Sequence, residues 1–206
     1  MSLTTWLAFL VAAILIAVTP GPGAVISIST GMRYGYWAAL RAILGLQTAI
    51  ALQIVVVALG MGALLATSEM AFTVVKLLGA SYLIGLGIQK WRAPVVAIDE
   101  QAVSWSQAGF YRQGILVNLT NPKAILFIAA FVPQFVDHAQ PLALQYALIT
   151  LTLCLTDSMV MSGYALLGSR LGRWLHDPLA IRNGNRVFGA LFITAGGFLA
   201  GSSRVS

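Results

Sequence analysis

A chain of 206 residues that is 59% hydrophobic and only 9% charged lies far from an average soluble domain, where about 25% of residues are charged. Its mean hydropathy of +0.87 excludes intrinsic disorder, and so few charges cannot cover the surface of a conventional soluble domain. The single cysteine, Cys154, excludes a disulfide framework, a CxxC redox pair and a thiolate metal cluster. Composition thus points to an integral membrane protein. The long apolar runs fit membrane helices of about 20 residues rather than the short alternating strands of a barrel. The net charge of +6 does not indicate a nucleic-acid partner, because the basic residues sit between apolar runs rather than in a stripe.

The first expected span runs from about Leu3 to Ser29, and no residue from Met1 to Met32 is charged. That stretch is too long, and too poor in an N-terminal basic region, for a cleaved signal peptide. It contains Thr19-Pro20-Gly21-Pro22-Gly23. Proline offers no N–H to the residue four positions back, so Pro20 frees the carbonyl of Ile16 and Pro22 that of Val18. In hydrocarbon a freed carbonyl needs protein, water or ligand as a partner. Two glycines add flexibility. The helix is expected to break here, with a new N-terminus near Gly23 whose free N–H groups and positive dipole end suit a carboxylate. A plain proline kink is the bland alternative.

The second span lies between Arg41 and Glu69, and the third runs from about Ala71 to Gln89. Lys76 sits near the outer end of the third span, where its ammonium can snorkel. The connector that follows carries Lys90, Arg92, Asp99, Glu100 and Arg112 and is expected on the membrane surface. Trp6, Trp37, Trp91 and Trp174 fall near expected interfaces.

The fourth span covers about Gln113 to Val136. Gly114, Asn118 and Asn121 share one helical face, and Pro122 frees the carbonyl of Asn118. Lys123 lies about 140° from Asn118 on a regular helix, but a break at Pro122 can redirect it. A lysine within the membrane costs about 2.5–3.5 kcal/mol and marks a functional position by default, with snorkelling as the competing explanation.

The fifth span covers about Leu142 to Gly168 and holds Asp157, the one carboxylate well inside an apolar run. Thr150, Cys154, Asp157 and Met161 form a stripe that should face the bundle interior. An aspartate there can bind a cation, pair with Lys123, or take up and release a proton. The sixth span lies between Arg186 and Arg204, and its Gly197–Gly201 GxxxG offers a helix-packing or homodimer face. His138 and His176 read as solvated loop residues, and Cys154 as a small packed one.

The first, third and fifth connections carry the basic residues, including Arg33, Arg41, Arg170, Arg173, Arg182 and Arg186; the second and fourth carry none. The positive-inside rule puts the basic connections in the cytoplasm and both termini outside, with Arg204 as the exception. Gly21-Pro22-Gly23-Ala24-Val25 aligns with Asn121-Pro122-Lys123-Ala124-Ile125 at an offset of 100. Each element opens a three-helix half, residues 1–92 and 113–206, joined by a connector at 93–112. The expected fold is all-α, with six transmembrane helices as two inverted three-helix repeats whose first and fourth helices are proline-broken. Chance similarity over so short a stretch is the competing explanation of the repeat.

These elements, in this order, resemble the LysE-type amino-acid exporters, most closely the RhtB (homoserine/threonine efflux) branch. The resemblance is carried by Thr19-Pro20-Gly21-Pro22-Gly23, by Gly31 and Arg33 through Gly35 and Ala39, and by Lys76-Leu77-Leu78-Gly79-Ala80-Ser81-Tyr82-Leu83. It continues through Phe110 to Gly114, Asn118-Leu119-Thr120-Asn121-Pro122-Lys123-Ala124, and Phe131 with Pro133, Gln134 and Phe135. It implies a multi-pass carrier of the bacterial inner membrane, not an enzyme and without cofactor or metal. Such a carrier exports neutral amino acids or their derivatives by proton antiport with alternating access. The substrate would meet Pro20, Gly21, Pro22, Gly23, Asn118, Asn121, Pro122, Lys123 and Asp157, with Asp157 coupling the proton. Its partners would be an amino acid, protons and membrane lipids. A channel, a membrane-embedded enzyme or a non-transporting subunit are the other classes.

Overall fold

A computed structural model describes residues 1–67, 109–137, 139–175 and 178–201, with scattered positions from Val74 to Ala93. The described residues are helical with no strand, as an apolar chain that must satisfy its own backbone requires. Helix α1 spans Leu3–Val18, α2 Pro22–Tyr34 and α3 Tyr36–Thr67. Helix α4 spans Phe110–Leu119, and α5 Pro122–Leu126 continues into a π turn at Phe127–Phe131 and a 3-10 turn at Val132–Phe135. Helix α6 spans Leu142–Leu175 and α7 Pro178–Gly201.

Two stretches, Tyr36–Gly60 and Leu142–Gly168, are single helices long and apolar enough to cross a membrane. Two further pairs qualify as broken spans, so the described residues supply up to four crossings. Most of the expected third span, Lys76 included, lies outside the described residues, as do His138, His176 and most of the connector. The expected fifth connection is more helical than the arginine positions implied. Helix α6 runs on to Leu175 and α7 starts at Pro178, so Arg182 and Arg186 lie on a helix rather than in a loop. Charge marks where the membrane ends, and a helix can project beyond it.

The first expected break is present. Helices α1 and α2 meet at 56°, with Thr19 and Gly21 extended at their caps. Pro22 occupies the first helical position of α2, where its missing N–H costs nothing. The second break matches it. Helix α4 and the segment from Pro122 meet at 54°, and Pro122 again opens the new helix, here behind an Asn121 cap whose side chain accepts from the Lys123 N–H at 3.1 Å. The π turn precedes Pro133, whose ring cannot supply an N–H to the Ala129 carbonyl.

Helix α6 displays the sidedness of a membrane protein. Leu144, Leu148, Leu151, Leu155, Met159 and Leu166 recur at helical spacing on an exposed apolar stripe, while Ile149, Leu153, Met161 and Ala165 are buried. Close helix crossings rest on missing side chains. A Cβ on Gly114 would collide with the Ala42 carbonyl oxygen, one on Gly45 with the Tyr111 carbonyl oxygen, and one on Gly31 with the Ala165 carbonyl oxygen. On α7, Gly189 packs against the Gly87 carbonyl and Gly196 against the Ala80 carbonyl, whereas a Cβ on Gly197 or Gly201 of the GxxxG would meet nothing within 4 Å among the described residues.

The buried apolar residues form two clusters. One gathers Phe9, Ile54, Phe127, Phe131, Val132 and Ile149. The other gathers Ile26, Ala39, Ile43, Phe110, Met161 and Ala165. Between them lies the polar region described next.

Candidate functional site

The proline breaks dictate where polar groups must go. Three carbonyls were expected to lose their helical donors, and each has a side-chain donor from elsewhere in the fold. The Lys123 ammonium donates to the Ile16 carbonyl at 2.9 Å and to the Thr19 carbonyl at 2.8 Å. The Tyr164 hydroxyl donates to the Val18 carbonyl at 2.7 Å. The Gln53 amide donates to the Asn118 carbonyl at 3.0 Å, and the Asn121 N–H adds a second bond at 3.1 Å. A carbonyl left bare in hydrocarbon costs several kcal/mol, so these bonds hold the breaks in place.

The second break also redirects Lys123, which a break at Pro122 allows. Its side chain lies across Gly21, where an added methyl would sit 3.4 Å from Cε and from Nζ. Asn118 and Asn121 are buried, at 5% and 4% exposure, and tie the break to α3. The Asn118 amide donates to the Leu46 carbonyl at 3.0 Å, and the Asn121 amide donates to Asn118 Oδ1 at 3.4 Å.

Asp157 faces inward from α6, as its stripe implied. Its Oδ2 accepts from Gln47 Nε2 of α3 at 2.8 Å. Cys154, one turn earlier, directs its thiol at the Gln47 carbonyl, 3.8 Å away. Thr150 turns back on its own helix and donates to the Tyr146 carbonyl.

A small cavity connects these groups. Gly23, Asn118, Asn121, Lys123 and Asp157 line it, among apolar walls from Ile16, Leu46, Ile50, Phe127, Leu153 and Met161. Its volume of about 40 Å³ holds roughly three waters. Pro20, Gly21, Pro22 and Pro122 are not among its walls; they shape the breaks that bring the walls together. Helix α2 starts at Pro22, so its first N–H groups have no intrahelical acceptor, and Gly23 and Ala24 lie on the cavity. One cationic group, one anionic group and a helix N-terminus therefore border a single cavity.

Gln47, Gln53 and Tyr164 were not singled out from the sequence. An uncharged glutamine or tyrosine in an apolar helix carries no positional signal of its own. The freed carbonyls did predict that donors must exist, without saying which.

An all-α membrane protein with two proline-broken helices around a buried polar cavity belongs structurally with membrane transporters rather than with soluble enzymes. Residues 14–203 match the LysE type translocator family, and the chain belongs to that family. It is 43% identical over 202 residues to an uncharacterized membrane protein of Vibrio cholerae, covering 97% of this chain and 98% of the relative. It is 40% identical over 201 residues to the homoserine/homoserine lactone efflux protein of Salmonella typhimurium, covering 97% of this chain and 98% of that protein. It is 30% identical over 192 residues to the leucine efflux protein of Klebsiella pneumoniae, covering 91% of each. No solved structure matches the chain.

Proposed function

We propose that this protein is a secondary transporter of the bacterial inner membrane that exports neutral amino acids, or derivatives such as lactones, from the cytoplasm. The observation that carries the reading is the pairing of Lys123 and Asp157 on one cavity. A zwitterion needs one site of each sign, and a neutral side chain needs the apolar wall that Ile50, Phe127 and Met161 supply. The substrate carboxylate meets the N-terminus of α2 at Gly21 and Gly23 and the Lys123 ammonium. The amino group meets Asp157 or the carbonyls that the prolines free. The named cargoes of the Salmonella relative, homoserine and its lactone, share the amino group but not the carboxylate.

The two halves rock about this site to alternate access. At about 40 Å³ the cavity must widen to take in an amino acid, which the rocking of the halves supplies. With the basic connections cytoplasmic, the cluster around Phe9 and Phe131 packs toward the outer side and the cluster around Ile43 and Phe110 toward the inner side. Protonation of Asp157 couples proton entry to substrate exit.

A substrate panel in cells overexpressing the protein tests the reading. Intracellular homoserine, threonine or leucine should fall selectively. Equal loss of every amino acid and analogue, or of none, would remove it.

A further inference from the structure

The ammonium of Lys123 already sits where another ammonium would be welcome. Nζ donates to two carbonyl oxygens of the last turn and cap of α1, those of Ile16 and Thr19, at 2.9 and 2.8 Å. The Ile16 acceptor exists because Pro20 withholds an N–H, so the break manufactures a cation-seeking pair of oxygens. Lys123 reaches it from the other broken segment, 107 positions away, by crossing the bare backbone of Gly21. The α-ammonium of an amino acid is the same chemical group: a primary ammonium with three N–H donors and one positive charge.

We propose that the Ile16–Thr19 carbonyl pair is the ammonium subsite of the transporter, and that Lys123 occupies it as a tethered surrogate while the site is empty. The inference rests on the reading of the chain as an amino-acid carrier and names the group that this site recognises. An arriving α-ammonium displaces Nζ, so one ammonium replaces another and the carbonyls are never left bare in a water-poor site. The displaced Lys123 then meets the substrate carboxylate where there is one. The subsite therefore accepts α-amino acids and their esters or lactones, which keep the ammonium. It rejects N-acyl amino acids, which keep only the carboxylate.

The test uses the purified full-length protein in lipid nanodiscs with threonine and with leucine, each also as its methyl ester and its N-acetyl derivative. Acylation of Lys123 by a brief pulse of acetic anhydride, kept far below the ligand concentration so that nearly all of the ligand keeps its free amine, is followed by peptide mass spectrometry as a ratio to acylation of Lys76 and Lys90 in the same sample. A methyl ester should raise Lys123 acylation about tenfold, the change that one charge-assisted hydrogen bond controls, while the N-acetyl derivative leaves it unchanged. An ester that protects Lys123 or has no effect, or an N-acetyl derivative that exposes it, overturns the proposal. In Lys123→Met the resident competitor is gone, so ester binding should tighten about tenfold; weaker ester binding by a folded variant overturns the proposal as well. Should that variant not fold, the acylation measurement on the native chain decides alone. Counterflow of labelled threonine and leucine in the same preparation separates the two claims. Counterflow without ester-induced exposure defeats the subsite only, and absence of counterflow for both amino acids defeats the carrier reading and the subsite with it.

Discussion

Gln47 Nε2 and Asp157 Oδ2 are joined by a 2.8 Å hydrogen bond that links α3 to α6 across 110 positions of sequence. Asp157 thus has a fixed orientation toward the cavity, set by a neutral partner that can remain in place whether or not the carboxyl carries a proton. Replacing Gln47 by leucine removes that donor and leaves the carboxyl group with an unmet acceptor. The expected cost is about 1–3 kcal/mol of stability, read as a lower melting temperature in detergent, together with reduced export. A Gln47→Leu variant as stable and as active as the native protein would mean that the bond is incidental.

Pro20→Ala separates stability from function. The alanine N–H can return to the Ile16 carbonyl, which favours a straighter helix and withdraws one acceptor from Lys123. Melting temperature should hold or rise while export falls. Loss of both together would show that the break serves only folding.

Gly114→Ala drives a methyl against the Ala42 carbonyl oxygen at a point where α4 and α3 touch through backbone. Overpacking of this kind costs about 1–3 kcal/mol or more, and size-exclusion profiles should show little monodisperse protein. Gly197→Ala, with nothing within 4 Å of the new methyl among the described residues, should leave the profile unchanged.

Much of this arrangement was legible in the sequence, and the reason is chemical. Proline acts locally and unavoidably on the residue four positions back, so the orphaned carbonyls of Ile16, Val18 and Asn118 could be named from the chain alone. The inward orientation of Asp157 followed from helical periodicity on α6. Their partners were not legible, because Lys123, Tyr164 and Gln53 are brought to those carbonyls by tertiary packing over distances that no periodicity encodes. Gln47 is brought to Asp157 by the same kind of packing. The fifth expected span, Leu142 to Gly168, coincides with the stretch apolar enough to cross a membrane, yet α6 runs on to Leu175, because arginines report the membrane boundary whereas hydrogen bonding decides where a helix stops.

Asp157→Asn keeps the size of the side chain and its place beside Gln47 but cannot take up a proton. In proteoliposomes the variant should lose the stimulation of export by an imposed proton gradient while exchange of substrate for substrate persists. Full gradient-driven export by Asp157→Asn would rule out its coupling role.

The central claim, that the cavity between the two broken helices carries an amino acid from one side of the membrane to the other, is tested most directly by counterflow. Proteoliposomes preloaded with unlabelled homoserine, threonine or leucine are diluted into the labelled compound. The account predicts transient accumulation of label above its external concentration in preloaded vesicles and none in empty ones, and loss of that accumulation in Lys123→Met. Equal uptake by preloaded and empty vesicles would contradict it.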